Sequence, residues 1–283
     1  MLPITREILD IVDRALEEDL AFHDPTTACL VPPDQQGRAV VLAKAPGVLA
    51  GASVAGAVFS RMDPALTAQA VKQDGERLRP GDHILHIEGP ASGILRAERT
   101  ALNLIQRMSG IATLTSLYVK AVEGYPAHIV DTRKTAPGLR YLDKYAVRMG
   151  GGRNHRLNLA DGILVKDNHI AALQARGVSL RETVERAVKL APHTLKVEVE
   201  VETVEQAREA LEGGAHILLL DNMNVEDMAE AVALAKGRAM TEASGGITLE
   251  TVRAVAQTGV DIISVGALTH SVAALDISLD FQP

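Results

Sequence analysis

The second half of the chain keeps a regular beat, and that beat limits the fold more than any other feature. Short aliphatic runs recur at 128–131, 163–166, 195–201, 216–221, 239–242 and 261–265. Amphipathic stretches at 203–213, 224–236 and 248–258 lie between the later runs. The last four runs repeat at roughly 20–25 residues, the length of one strand-plus-helix unit. Strand and helix in alternation make a parallel sheet, and this many units favour a closed or nearly closed βα barrel over an open doubly wound sheet. No GxGxxG follows a strand, which argues against a dinucleotide fold.

The first half reads differently. Ile4, Ile8, Leu9, Val12, Leu16 and Leu20 lie at helical spacing, predicting an opening helix over 3–21. Runs at 39–43 and 83–87 read as strands, with a Gly/Ala-rich helix at 50–59 between them. A long helical pattern covers 93–122, and Gly110 predicts a break in it and a domain boundary. In the 283 residues, apolar types make up 47% but aromatics only 2%, so the core must be built from Ala, Val, Leu and Ile. That composition suits helices packed on a parallel sheet. One cysteine, Cys29, excludes an internal disulfide framework and a CxxC zinc site. No apolar run reaches the roughly 18 residues a membrane span needs. Met1–Glu7 leads into an acidic amphipathic helix rather than a cationic-then-apolar leader. The expectation is a cytoplasmic enzyme.

In a βα barrel the chemistry sits where strands end. Here the runs end in Asp131-Thr132-Arg133-Lys134, Lys166-Asp167-Asn168-His169, Glu198/Glu200/Glu202, Asp221-Asn222, Glu242-Ala243-Ser244-Gly245-Gly246 and Ser264-Val265-Gly266-Ala267-Leu268-Thr269-His270. One polar strand end is routine solvation; six in succession make an active-site rim. Alternation in Val197–Glu202 puts the three Glu on one face, inward in a barrel. Glu198, the deepest, is costly to bury without a cation, and Lys134, Lys166 or Lys196 would serve; a purely structural salt bridge there is an even alternative.

Charge sharpens this picture. The chain carries −7, which argues against a nucleic-acid binder. Residues 131–170 hold eight Lys/Arg against four Asp, a net of +4, leaving −11 on the rest. A basic segment feeding the rim of an acidic protein suits a small, multiply anionic ligand. Arg140, Lys144 and Arg148, at helical spacing, read as a solvated face. Gly150-Gly151-Gly152 reads as a flexible loop tipped by Arg153, Asn154, His155 and Arg156. The Ser244-Gly245-Gly246 and Gly266 turns follow the last two barrel strands, where this architecture binds phosphate. Glu200 and Asp221, ending neighbouring strands, suit Mg²⁺, ribose hydroxyls or a developing cation.

These residues carry a resemblance. The segments Asp131–Gly138, Gly150–Arg156, Leu164–His169 and Glu242–Ile247 resemble the quinolinate phosphoribosyltransferase family, or nicotinate-nucleotide pyrophosphorylase (carboxylating). So do Glu98–Asn103, Ser109–Thr113 and the tail at Leu275-Asp276, covering nearly the whole chain. The resemblance implies an N-terminal α/β sandwich domain (1–110, with the 271–283 tail packing back on it) and an incomplete, open βα barrel (111–270). It implies a homodimer or higher oligomer with shared sites. The reaction it implies joins quinolinate to phosphoribosyl pyrophosphate with Mg²⁺, giving nicotinate mononucleotide, pyrophosphate and CO₂. Carried over by motif, Arg133, Lys134, His155, Arg156 and Lys166 would hold quinolinate, with Arg99 reaching in from the partner, and Thr132 would be a further substrate-binding residue. Glu200, Asp221, Ser244, Gly245, Gly246, Gly266, Ala267, Leu268 and His270 would meet ribose and phosphates. Lys134, Lys166, Glu200 and Asp221 would carry the chemistry.

The chain departs from the family at His23 and Asn158, where Gly is common, and at Pro25, usually aliphatic; these put local turn geometry in question. Rival readings are a nicotinate-specific transferase, a molybdenum-locus paralogue, a Schiff-base aldolase using Lys166, and a non-catalytic binding module.

Overall fold

The computed structural model of the chain describes residues 2–282. Its backbone forms two compact units, one made of residues up to 116, 134–151 and 267 onward, the other of 117–133 and 152–266.

In chain order the first unit begins with α1 (Arg6–Glu18), a 3₁₀ turn at Ala21–His23, α2 (Pro25–Leu30), β1 (Gln36–Ala43) and β2 (Gly47–Val48). Then come α3 (Ala52–Met62), β3 (Thr67–Ala70), β4 (Arg77–Leu78), β5 (His83–Pro90) and the long α4 (Ala91–Ala121). After β6 (His128–Val130), α5 (Arg140–Met149) returns to this unit. Ile8, Val12 and Leu16, joined by Ile11, bury one face of α1; of the other residues read at that spacing, Ile4 is exposed ahead of the helix and Leu9 is half-buried. Leu20 does not join them: the helix stops at Glu18, and Leu20 takes a left-handed φ of 47° with its side chain exposed.

The main sheet of this unit has the order β12-β1-β5-β3, with antiparallel ladders. Its last strand, β12 (Ile277–Gln282), brings the end of the chain beside β1, a pairing no periodicity announced. Ala39 faces Ile87 and Val41 faces Leu85 across the ladder, all buried. Phe59 is the one aromatic among the largest fully buried side chains; Ile and Leu supply most of the others.

Gly110 does not break α4, which runs unbroken through it. A Cβ at this position would lie 2.2 Å from the Ala273 carbonyl oxygen, so glycine is there to let the tail pack on the helix. The neighbouring Ser109 and Thr113 are stitches. Ser109 Oγ accepts from Ala50 N and donates to Ala50 O, and Thr113 Oγ1 accepts from Val48 N. On α5 the solvated-face expectation fails at Lys144, which is buried. Beside it, the fully buried Asp143 takes a two-pronged bond from Arg107, at 2.9 and 2.8 Å. The triple glycine is a packed turn rather than a flexible loop. Gly150 is buried, and a Cβ on it would sit 2.4 Å from Ala112 O.

The second unit is the parallel sheet. Its remaining elements are β7 (Ile163–Val165), α6 (Asp167–Gln174), α7 (Leu180–Leu190), β8 (Val197–Val201), α8 (Val204–Glu212), β9 (Ile217–Asp221), α9 (Val225–Ala235), β10 (Met240–Ser244), α10 (Val252–Gln257) and β11 (Ile262–Ser264). A short α11 (Ala267–His270) then leads back to the first unit. The strand order is β6-β11-β10-β9-β8-β7. The first strand pairs with the last, Ile129 opposite Ile263, and the sheet ends at β6 on one side and β7 on the other. This is an incomplete barrel of six strands, open between its first two. Ser179, Thr203 and Asn224 cap α7, α8 and α9 by accepting backbone N–H bonds, fixing where those helices begin. Val204, Ala207, Ala210 and Leu211 bury the sheet-facing side of α8.

Candidate active site

Strand register decides which side chains face the barrel interior. Glu198 and Glu200 pair with Ile217 and Leu219, and Leu219 and Asp221 pair with Glu242 and Ser244. In-register residues share a face. Glu198, Glu200, Asp221, Glu242 and Ser244 therefore point to one side of three adjacent strands, while Val197, Val199 and Val201 pack on the other, fully buried. Applied to Met240–Ser244, the alternation that placed the three Glu also places Glu242 inside. The sequence reading applied it only to β8 and so assigned Glu242 no role.

At the rim, Glu200 and Asp221 are neighbours in the field of Lys166. Burial raises the Glu200 carboxyl above its ordinary range, Asp221 adds to the rise, and Lys166 opposes it. Lys166 stands exposed at the start of α6, where His169 Nδ1 accepts its backbone N–H at 2.9 Å. Beside Ser244, the next strand end turns sharply. Gly245 (φ 89°) passes so close to Asn222 that a Cβ would meet its Oδ1 at 2.2 Å, while Gly246 (φ 57°) faces open space.

Below the rim lies a second group of charges. The buried Asp131 does not face outward. Its oxygens accept from His155 N (2.8 Å) and Asn154 Nδ2 (2.6 Å), pinning the loop that follows the triple glycine. His155 Nε2 then lies 3.4 Å from Glu198 and 3.5 Å from Glu242. Glu198 is thus partnered by a histidine rather than by Lys134, Lys166 or Lys196; Lys196 Nζ instead meets Met240 Sδ. Burial disfavours a charged His155 ring, but the bonds and charges of the two glutamates outweigh it and push its pKa up to about 10. The backbone pulls the other way: Arg156 N–H donates to His155 Nδ1 at 2.7 Å, which needs a lone pair there. Burial raises the Glu198 carboxyl and lowers the Arg156 guanidinium, whose Nη1 donates to Gly162 O. Arg133 is near enough to lower Arg156 further.

His155, Glu198 and Glu242 have the residue types and spacing of a cation site, with ligand atoms within 4.8 Å of one another. A metal on Nε2 would place the ring proton on Nδ1, against the Arg156 N–H, so the donor set does not fit one. The trio, with Arg156, instead lines a cavity of about 310 Å³ that reaches the strand starts at Ile163, Ile217 and Ile262. A larger cavity of 410 Å³ in the first unit has apolar walls such as Leu9, Ala57, Ala68 and Leu85. The charges at its edge are occupied, Arg61 by Asp13, Lys72 by Asp82 and Asp74 by Tyr145.

Of the residues read from sequence, Thr132, Arg133, His155, Arg156, Lys166, Glu200, Asp221, Ser244, Gly245, Gly246 and Gly266 belong to the second unit. Arg99, Lys134, Ala267, Leu268 and His270 belong to the first. There Arg99 is exposed on α4, and Thr269 Oγ1 donates to Lys134 O at 2.7 Å, tying the Lys134 segment to α11.

Comparison with known proteins places these features. Residues 24–109 match the quinolinate phosphoribosyl transferase N-terminal domain, and 111–280 match the C-terminal domain. The chain belongs to the quinolinate phosphoribosyltransferase family. It is 46% identical to a probable nicotinate-nucleotide pyrophosphorylase [carboxylating] of Bacillus subtilis, over 93% of this chain and 89% of that one. It is 43% identical to a mitochondrial quinolinate phosphoribosyltransferase [decarboxylating] of Nicotiana glauca, covering 97% and 82%. Among solved structures, NadC from Streptococcus pyogenes superposes with a TM-score of 0.93 at 40% identity, covering 100% and 99%. A nicotinate-nucleotide pyrophosphorylase from Francisella tularensis gives 0.90 at 37%, covering 99% and 98%.

The departures from the family pattern are mild. His23 and Asn158 are not among the positive-φ residues, so neither needs glycine. Pro25 opens α2 directly after the capping Asp24, a position that suits its fixed φ. Asn158 Oδ1 accepts from Ala160 N, closing its own turn.

Proposed function

We infer that the chain transfers the phosphoribosyl group of phosphoribosyl pyrophosphate to quinolinate with loss of CO₂, giving nicotinate mononucleotide and pyrophosphate. The observation that carries this reading is the two-level charge pattern inside one barrel: the Arg156 and Arg133 guanidiniums beside His155, and a carboxylate pair, Glu200 and Asp221, at the rim. Quinolinate bears two carboxylates, which suit the Arg133 and Arg156 guanidiniums and the Lys166 ammonium, with Thr132 adding a hydroxyl and His155 completing the floor. The Gly245-Gly246 turn, with Ser244 and the Gly266 turn, offers backbone N–H groups to phosphate. As pyrophosphate leaves, positive charge grows on the ribose, and Glu200 or Asp221 stabilises it. As CO₂ leaves, the ring keeps an electron pair that the fixed charge of Lys166 supports.

Glu200 and Asp221 also suit Mg²⁺, because burial and then the neighbouring Asp221 raise Glu200, and a dication arriving with the pyrophosphate would offset both. When bound, the ion neutralises the leaving group. The family resemblance further assigns Lys134, Ala267, Leu268 and His270 to substrate, together with the partner subunit's Arg99 in a homodimer. A cytoplasmic location goes with the reading; among the described residues no helix is long and apolar enough to cross a membrane.

Incubation with quinolinate, phosphoribosyl pyrophosphate and Mg²⁺ should yield nicotinate mononucleotide by chromatography, and chelation should stop it. Nicotinate, with one carboxylate, should be a poor substitute. Equal or faster turnover of nicotinate would overturn the assignment of quinolinate, and undiminished activity in chelator would overturn that of Mg²⁺.

A further inference from the structure

Resting on that reading, we propose that Glu198 and Glu242 are positioning residues that set the His155–Arg156 pair beneath the pyridine dicarboxylate. They come from β8 and β10, the strands on either side of β9, and so approach the same ring nitrogen from two directions, at 3.4 and 3.5 Å. The Nε2–H is shared between two acceptors, a hold from both sides in place of one tight bond. Both carboxylates are buried, and the second oxygen of each has no hydrogen-bond partner. A buried carboxylate is costly unless it is partnered, and here the histidine is the partner both share.

The remaining sides of the loop are fixed as well. Asp131 holds the His155 and Asn154 nitrogens, and Arg156 N–H closes on Nδ1. One side of the ring faces open space, because His155 lines the 310 Å³ cavity. With that space beside it, van der Waals contact alone would allow a second rotamer. The two carboxylates supply the restraint that packing omits. Through the Nδ1 bond, the ring in turn fixes the backbone from which the Arg156 guanidinium departs. The chain thus supports a substrate-facing cation through an acidic pair packed beneath it.

The test uses the full-length chain with Glu198→Gln, Glu242→Gln and the double variant, each made also in a His155→Ala background. Gln keeps the shape and removes the charge. Either single change should raise the quinolinate KM about tenfold, the loss of one charge-assisted contact, while the phosphoribosyl pyrophosphate KM stays within about twofold. In the His155→Ala background the same changes should cost clearly less, because only the direct field of the two carboxylates on Arg156 then remains. A rise that persists undiminished without His155, or that falls equally on both substrates, overturns the positioning role. Should the double variant fail to fold by circular dichroism, the single variants carry the same comparison, since each leaves one carboxylate on the ring. Failure of the unmodified chain to turn over quinolinate would instead overturn the functional reading itself.

Discussion

Lys166 directly follows a partly buried aliphatic strand, stands exposed in the field of Glu200, and is held at its backbone by His169. A flexible ammonium in that place is useful only if its charge meets something that develops in the reaction. Lys166→Ala should therefore lower kcat by about a hundredfold or more, as loss of a fixed transition-state charge does, and Lys134→Ala should also depress turnover strongly. Steady-state rates measured on both variants decide the point, and near-normal values in both would remove these residues from the chemistry. The polar strand ends were readable because a charge directly after Ile-Leu-Val has few structural reasons to be there. Glu242 was legible by the same alternation but stands alone inside Met-Thr-Glu-Ala-Ser, where one carboxylate is a weaker signal than three in a row; the register with Leu219 confirms its direction. The His155 partnership was not readable at all. It depends on a loop from 152–156 meeting two strands more than 40 residues away, and spacing does not encode that.

Elements were legible wherever periodicity was long and misread where a single residue served tertiary contact. All six barrel strands and the helices after β8, β9 and β10 fall where the aliphatic beat predicts, within a few residues at their ends. Gly110 was misread because a glycine inside a helical pattern has the same local signature whether it breaks the helix or admits a neighbour. Two mid-helix glycines separate these effects. Gly56, in α3, would place a Cβ 3.7 Å from the Ala68 Cβ, an ordinary contact; Gly110 would place one 2.2 Å from a carbonyl oxygen. Local propensity favours alanine at both by roughly 0.5–1 kcal/mol. Gly56→Ala should accordingly be neutral or raise the melting temperature. Gly110→Ala should destabilise by on the order of 2 kcal/mol, because the tail must move. Calorimetry on the two variants reads the sign, and stabilisation at Gly110 would show that the tail contact is not what selects glycine there.

At the scale of the whole molecule, the net charge of −7 averages the basic 131–170 segment, whose cations fall in both units, with an acidic remainder, so it argues against nucleic acid without arguing against a small anionic ligand. The same averaging hides an incomplete cation set. Arg99 sits exposed on α4 in the first unit, an arginine that the sequence motif marks as functional and that makes sense if it serves another copy of the chain. Complementation tests this directly. Arg99→Ala chains should be nearly inactive alone, as should Lys166→Ala chains. Refolded together in equal amounts, half the dimers are mixed. In each mixed dimer one site has its own Lys166 and the partner subunit's Arg99, while the other site has neither. Activity should return to about a quarter of the unmodified level, as two-fold symmetry with a shared site requires. Recovery no greater than the sum of the two separate preparations would mean that each chain completes its own site, and Arg99 would then be a residue of the surface alone.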